Sequence, residues 1–131
     1  MSPTRRGDRG QATVELALVL PLVAALLLVV LQVGLVVRDR VLVTHAAREA
    51  ARAAAVAEHD RSAAAERGAV RASDLAADRL EVTTSPVDGG DAVEVHVVYR
   101  STTDVPLVGL LLPDLDLEAD ATMRVEAAPG A

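Results

Sequence analysis

Leu16-Ala17-Leu18-Val19-Leu20-Pro21-Leu22-Val23-Ala24-Ala25-Leu26-Leu27-Leu28-Val29-Val30-Leu31-Gln32-Val33-Gly34-Leu35-Val36-Val37 is a run of 22 residues without a formal charge. Pro21, Gln32 and Gly34 alone interrupt its apolar character. As a helix rising about 1.5 Å per residue it is about 33 Å long, enough to cross a hydrocarbon layer of about 30 Å. Charges close it on both sides, Glu15 before and Arg38-Asp39-Arg40 after. A buried core helix would need apolar cover all round, which a chain of 131 residues is too small to supply. A cleavable secretory signal has an apolar region of about 7–15 residues ending at a small-residue site. This run is longer, and the first Ala-rich stretch, Ala46-Ala47, lies beyond the charged flank. The reading is a retained membrane span over 16–37.

The charges around the span are segregated. Residues 1–10 hold Arg5, Arg6 and Arg9 against Asp8, whereas residues 80–131 hold ten acids against Arg100 and Arg124. Basic residues close to one end of a span retain that end in the cytoplasm. The N-terminus is therefore expected inside and the acidic C-terminal part outside, although Arg38 and Arg40 oppose this bias. The net charge of −6 and a single aromatic, Tyr99, argue against nucleic-acid binding, which needs cationic and stacking surfaces. The absence of cysteine excludes disulfides, thiolate metal sites and a cysteine nucleophile.

Beyond the span, Val41 to Glu58 reads VLVTHAAREAARAAAVAE, rich in the best helix former and free of Gly and Pro. One helix from about Ala12 to about Glu58 is expected. His45, Arg48, Glu49 and Arg52 fall on one side and Ala46, Ala47, Ala50, Ala51, Ala53 and Ala54 on the other. The charged side reads as a solvated face. The alanine side, which lets another helix approach closely, reads as a surface for packing against neighbouring subunits. Residues 60–79 suggest one or two shorter helices, with Ser73 a candidate N-cap before Asp74-Leu75.

After Leu80 the period falls from 3.6 to 2. Leu80-Glu81-Val82-Thr83 opens an alternation, and Ser85-Pro86-Val87-Asp88-Gly89-Gly90-Asp91 is turn chemistry. Val93, Val95, Val97 and Tyr99 then alternate with polar residues, as do Leu115, Leu117, Ala119, Ala121, Met123 and Val125. Alternation implies an antiparallel sheet with one buried and one wet face. The apolar segment 105–113, fenced by Pro106 and Pro113, reads as a loop covering the sheet or as an exposed patch for a partner or the membrane surface.

Catalytic constellations are missing from the sequence pattern. Asp114, Asp116, Glu118 and Asp120 resemble a calcium loop, but Ala119 and Val125 stand where that loop needs Gly and a bidentate Glu. His45, His59 and His96 are scattered, outside any metal or nucleophile spacing. Arg6-Gly7-Asp8 is not read as an adhesion tripeptide, because the topology puts it in the cytoplasm. No enzyme activity, cofactor or metal is expected.

Gly10 is followed by Gln11-Ala12-Thr13-Val14-Glu15 and then the span. A basic leader, a small residue, four spacers, an acid and a long apolar helix resemble the N-terminus of type IV pilin-like prepilins. The stretch Arg9-Gly10-Gln11-Ala12-Thr13-Val14-Glu15-Leu16-Ala17-Leu18-Val19-Leu20-Pro21, with the downstream Ala46-Ala47-Arg48-Glu49-Ala50-Ala51-Arg52-Ala53, is similar to the TadE-like family. Its members are pseudopilins or minor pilins of tight-adherence (Flp) pilus systems.

That resemblance implies a prepilin peptidase cutting after Gly10, with Gln11 as the new N-terminus and Glu15 as the residue that pairs with a neighbour's freed amine. A carboxylate at the edge of hydrocarbon is costly unless paired. In the headgroup region it also favours the helix N-terminus through the dipole. The implied partners are other pilin or pseudopilin subunits, the peptidase, the lipid bilayer and, indirectly, a Tad-type membrane platform and secretion ATPase. The implied location is the bacterial inner membrane. The expected fold is α+β and pilin-like: a long N-terminal helix, transmembrane in its first half, then short helices and a small three-stranded antiparallel sheet. The expected divisions are a leader over 1–10, the long helix over 11–58 and an extracytoplasmic domain over 59–131. The alternative is a single-pass extracytoplasmic scaffold or binding protein that is never processed.

Overall fold

In a computed structural model of the chain, which describes residues 7–103, 109 and 113–126, one helix dominates. Helix α1 runs unbroken from Gly7 to Ala55, 49 residues, about 73 Å at the α-helical rise. Pro21 sits inside it, in the apolar half. Helix α2 spans Arg61–Ala72, and a 3₁₀ turn over Ala77–Arg79 leads into the sheet. Strands β1 (Leu80–Val87), β2 (Ala92–Ser101) and β3 (Leu115–Arg124) form an antiparallel sheet in the order β1-β2-β3. The architecture is the expected α+β, pilin-like one.

The sheet is buried on the face the alternation marks. Val93, Val95, Val97 and Tyr99 of β2 and Leu117 of β3 join the core, with Ala119 and Ala121 packed at its margin. Tyr99, the one aromatic, is buried, and the Arg79 guanidinium lies 5.8 Å from its ring centroid, within cation–π range. Arg79 also donates to the Thr102 hydroxyl at 2.7 Å, which ties the start of β1 to the end of β2.

The second half of α1 is the other wall of this core. Ala46, Ala47, Ala50, Ala51 and Ala54 are fully buried, together with Val43, Ala55 and, from α2, Ala65 and Ala69. This corrects the expectation that the alanine side packs against other subunits. The chain's own α2 and sheet cover it, and the small side chains serve close packing within one molecule. Arg48 and Arg52 remain on the exposed side.

Gly68 shows how tight the crossing of α1 and α2 is. A Cβ there would lie 2.8 Å from the Ala53 Cβ and 2.9 Å from the Glu49 carbonyl oxygen.

Three local readings change. Ser73 ends α2 rather than starting a helix, its hydroxyl donating to the Ala69 carbonyl at 3.0 Å. The N-cap is Asp60, whose carboxylate accepts from the Ala63 N–H. Ser85-Pro86-Val87 belongs to β1 rather than to the turn, an arrangement open to proline on an edge strand. The reversal falls instead at Asp88-Gly89-Gly90, all with positive φ, where glycine is favoured. Helix α1 stops at Ala55, before Glu58, and the Glu126 N–H donates to the freed Ala55 carbonyl. The apolar segment 105–113 lies, apart from Gly109 and Pro113, outside the described residues.

Gly68→Ala should lower the stability of the full chain in detergent micelles. Overpacking costs about 1–3 kcal/mol, and the gain in helix propensity returns up to about 1 kcal/mol. Thermal unfolding followed by circular dichroism should show a net loss of about 1–2 kcal/mol. A stabilised variant would contradict the tight crossing.

Candidate functional site

The first half of α1 has no cover. Leu16, Leu18, Leu20, Leu22, Leu26 and Leu27 are exposed, Leu22 at 71%. Within α1 the most hydrophobic window is entirely unburied, and the helix is long and apolar enough to cross a membrane. In water such a surface is untenable, since soluble monomers rarely expose apolar patches beyond a few hundred Å². Lipid or other apolar helices must supply its surroundings.

Gly10, Gln11 and Glu15 lie at the start of this bare rod and are all exposed. Gly10 is three residues into the helix, in the first turn, whose N–H groups have no intrahelical acceptors. That turn is the easiest part of α1 to unwind. Gln11 and Glu15 are four residues apart and so share one side of the helix. The space around Gly10 is open, with nothing within 4 Å of an added Cβ. The structure keeps these residues in sequence order on one helix and brings no other element to them among the described residues.

The other end of the apolar run is covered, on one stripe only. Gln32 is 3% exposed, and its side-chain amide donates to the Thr103 hydroxyl at 3.5 Å. One and two turns on, Val36 is packed against the core and Asp39 accepts from the Ser101 hydroxyl at 2.8 Å. Strand β2 runs antiparallel to this part of α1, so its end meets Gln32 and Asp39 while its start lies near Ala55. These polar clasps are features the sequence reading missed. Gln32 was visible as the one polar side chain in the run, but its partners are 71 residues away.

Residues 10–52 match the family model described as TadE-like protein. Over its bare and clasped helix, the chain is similar to that family. The match covers the candidate cut site, the acid and the span, and stops before α2 and the sheet. It points to a membrane-anchored protein associated with Tad pili, a family not known for enzymes. No curated protein and no solved structure matched the chain.

The wet face of the sheet carries the acids as pairs and neighbours rather than as a cation loop. Arg100 meets Asp116 at 3.3 Å, and His96 bonds Asp120 across the β2–β3 ladder. His45 lies on α1 and His59 in the loop after it, so the histidines stay apart. The Asp120 hydrogen bond, helped by the charges of Asp120, Glu118 and Glu94, raises the His96 pKa above 6.5 against a smaller opposing effect of burial. Thr83 is the neighbour on the β1 side.

A raised pKa means that protonated His96 stabilises the fold below the ordinary histidine range and that this contribution fades as pH climbs through the folded value. Between pH 6 and pH 8 the chain should lose a small increment of melting temperature. Asp120→Asn should shrink that pH dependence, and an unchanged difference between the two pH values would sink the assignment.

Proposed function

We propose that the chain is a single-pass, pilin-like subunit of a Tad pilus system that acts in assembly and is not an enzyme. Residues 1–10 are a cytoplasmic leader, α1 carries the span over 16–37, and α2 with the sheet stands outside the cell membrane. The observation that carries this reading is one unbroken helix whose first half is bare and apolar while its second half is the core of a folded domain. A subunit built this way is held in lipid by its bare half and can pass that half from lipid into a bundle of like helices without refolding the domain.

In this reading a prepilin peptidase cuts between Gly10 and Gln11, in the first turn of α1, where few hydrogen bonds resist unwinding. Removal of the leader takes away Arg5, Arg6 and Arg9 and frees an amine on Gln11. Glu15 of a neighbouring subunit accepts that amine, so that neither charge enters the apolar bundle unpaired. Other pilins or pseudopilins are the direct partners, and the platform and secretion ATPase act through the assembling subunits.

Mass spectrometry of the chain recovered from a membrane that contains the peptidase should give Gln11 as first residue. An intact leader would leave the unprocessed anchor as the better reading. Glu15→Ala should still be cleaved but should co-assemble at least roughly tenfold less. An unpaired charge in hydrocarbon costs more than the about 1.4 kcal/mol that a factor of ten represents. Wild-type co-assembly of Glu15→Ala would remove the pairing role.

A further inference from the structure

We infer that the lower end of the outer domain, where β2 ends and β3 begins, is set into the outer leaflet of the bilayer beside the span. This rests on the membrane reading above and adds a second, shallow lipid contact to it. The argument is one of height along α1. The domain covers a single stripe of the helix: Gln32, Val36, Asp39 and Val43, with Leu28 half-buried one turn further down. Off that stripe and at the same heights, Val33, Leu35 and Val37 are exposed, and no charge occurs between Glu15 and Arg38. Helix residues that face lipid on one side fix the depth of whatever packs on the other.

Gln32 lies six residues below Arg38, about 9 Å along the helix. That is the depth reached by elements that lie in the boundary between headgroups and acyl chains, about 5–10 Å. Arg38 and Arg40, both exposed, would then stand at the phosphates, their long side chains reaching the polar layer.

The lower end is suited to that position. Thr103 holds it together: its hydroxyl accepts from Gln32 and donates to the Pro113 carbonyl at 3.3 Å, and its N–H donates to the Asp114 carboxylate at 3.2 Å. Thr103 thus partners the amide nitrogen of Gln32, while the buried Gln32 Oε1 has no hydrogen-bond partner among the described residues, and burial under the domain takes the one polar side chain of the span out of contact with lipid. Pro113 and Leu115 are exposed there, Leu115 at 43%. The lower end also carries the exposed carboxylates Asp114 and Asp116, which belong at the headgroup level, while the opposite end has Asp88, Asp91 and Glu126.

The absence of cysteine allows single labels. Leu22→Cys, Pro113→Cys, Leu115→Cys and Asp88→Cys variants of the full chain, each carrying an environment-sensitive fluorophore, are reconstituted in phosphatidylcholine–phosphatidylglycerol vesicles with nitroxide-labelled acyl chains. Labels at 22, 113 and 115 should lose fluorescence to the nitroxide and resist aqueous iodide, while the label at 88 should do the reverse. Nitroxide quenching at 22, with 113 and 115 behaving like 88, would overturn the inference and leave the span intact. A label at 22 that is not quenched would defeat the membrane reading itself. Protection of 113 and 115 from both quenchers would assign this end to a protein contact and would also overturn the inference.

Discussion

The burial of the alanine side of α1 under α2 and the sheet is the contact on which the rest of the molecule depends. Ala46, Ala47, Ala50, Ala51 and Ala54 are fully buried, and they let backbones come together closely enough that Gly68 has no room for a Cβ. With one aromatic and few large side chains inside, this core gains little from any single burial. Its cohesion comes from many close contacts at high packing density. The same contact makes the second half of α1 inseparable from the domain, so the continuation of the bare apolar helix is the domain's own inner wall.

That arrangement decides which surfaces remain for other molecules. The small-residue side is used up inside the chain and is not offered to neighbours. What remains is the bare apolar half of α1, with Gly10, Gln11 and Glu15 at its start, and the wet face of the sheet with its acids. The TadE-like match over residues 10–52 takes in the bare half of α1 and most of the half that lies under the domain. Strands β1, β2 and β3 lie outside it. Division of labour within the molecule follows from the helix: one half for surroundings that are apolar, one half for a folded domain.

Much of this was legible in the sequence because it rests on periodicity. Twenty-two uncharged residues and an alanine run make a helix in almost any context, and the alternations in β2 and β3 mark their inward faces directly. Local signals were less decisive where tertiary contacts compete. Ser73 is as good a cap residue at the end of a helix as at its start, and the Ala69 carbonyl claimed its hydroxyl. Pro86 looked like a turn residue but sits where an edge strand needs no N–H. The alanine side showed that something must pack there and was silent on whether it belonged to the same chain. Gln32 was readable as an interruption and Asp39 as part of the charged flank, yet their partners, Thr103 and Ser101, become neighbours only when β2 runs back along α1. At the candidate cut site the sequence carries nearly all the information, since Gly10, Gln11 and Glu15 lie within six residues at the exposed start of one helix.

The claim that the alanine side is an internal core, and not an intersubunit surface, is tested most directly by the melting of an Ala50→Leu variant of the monomeric full chain in micelles. A Cβ on Gly68 would lie only 3.3 Å from the Ala50 Cα, so the larger side chain has to push α2 away. The account predicts a loss of about 1–3 kcal/mol, the usual cost of overpacking, seen as a lower melting temperature of the isolated monomer. An unchanged monomer melt, with the defect confined to association between subunits, would contradict it.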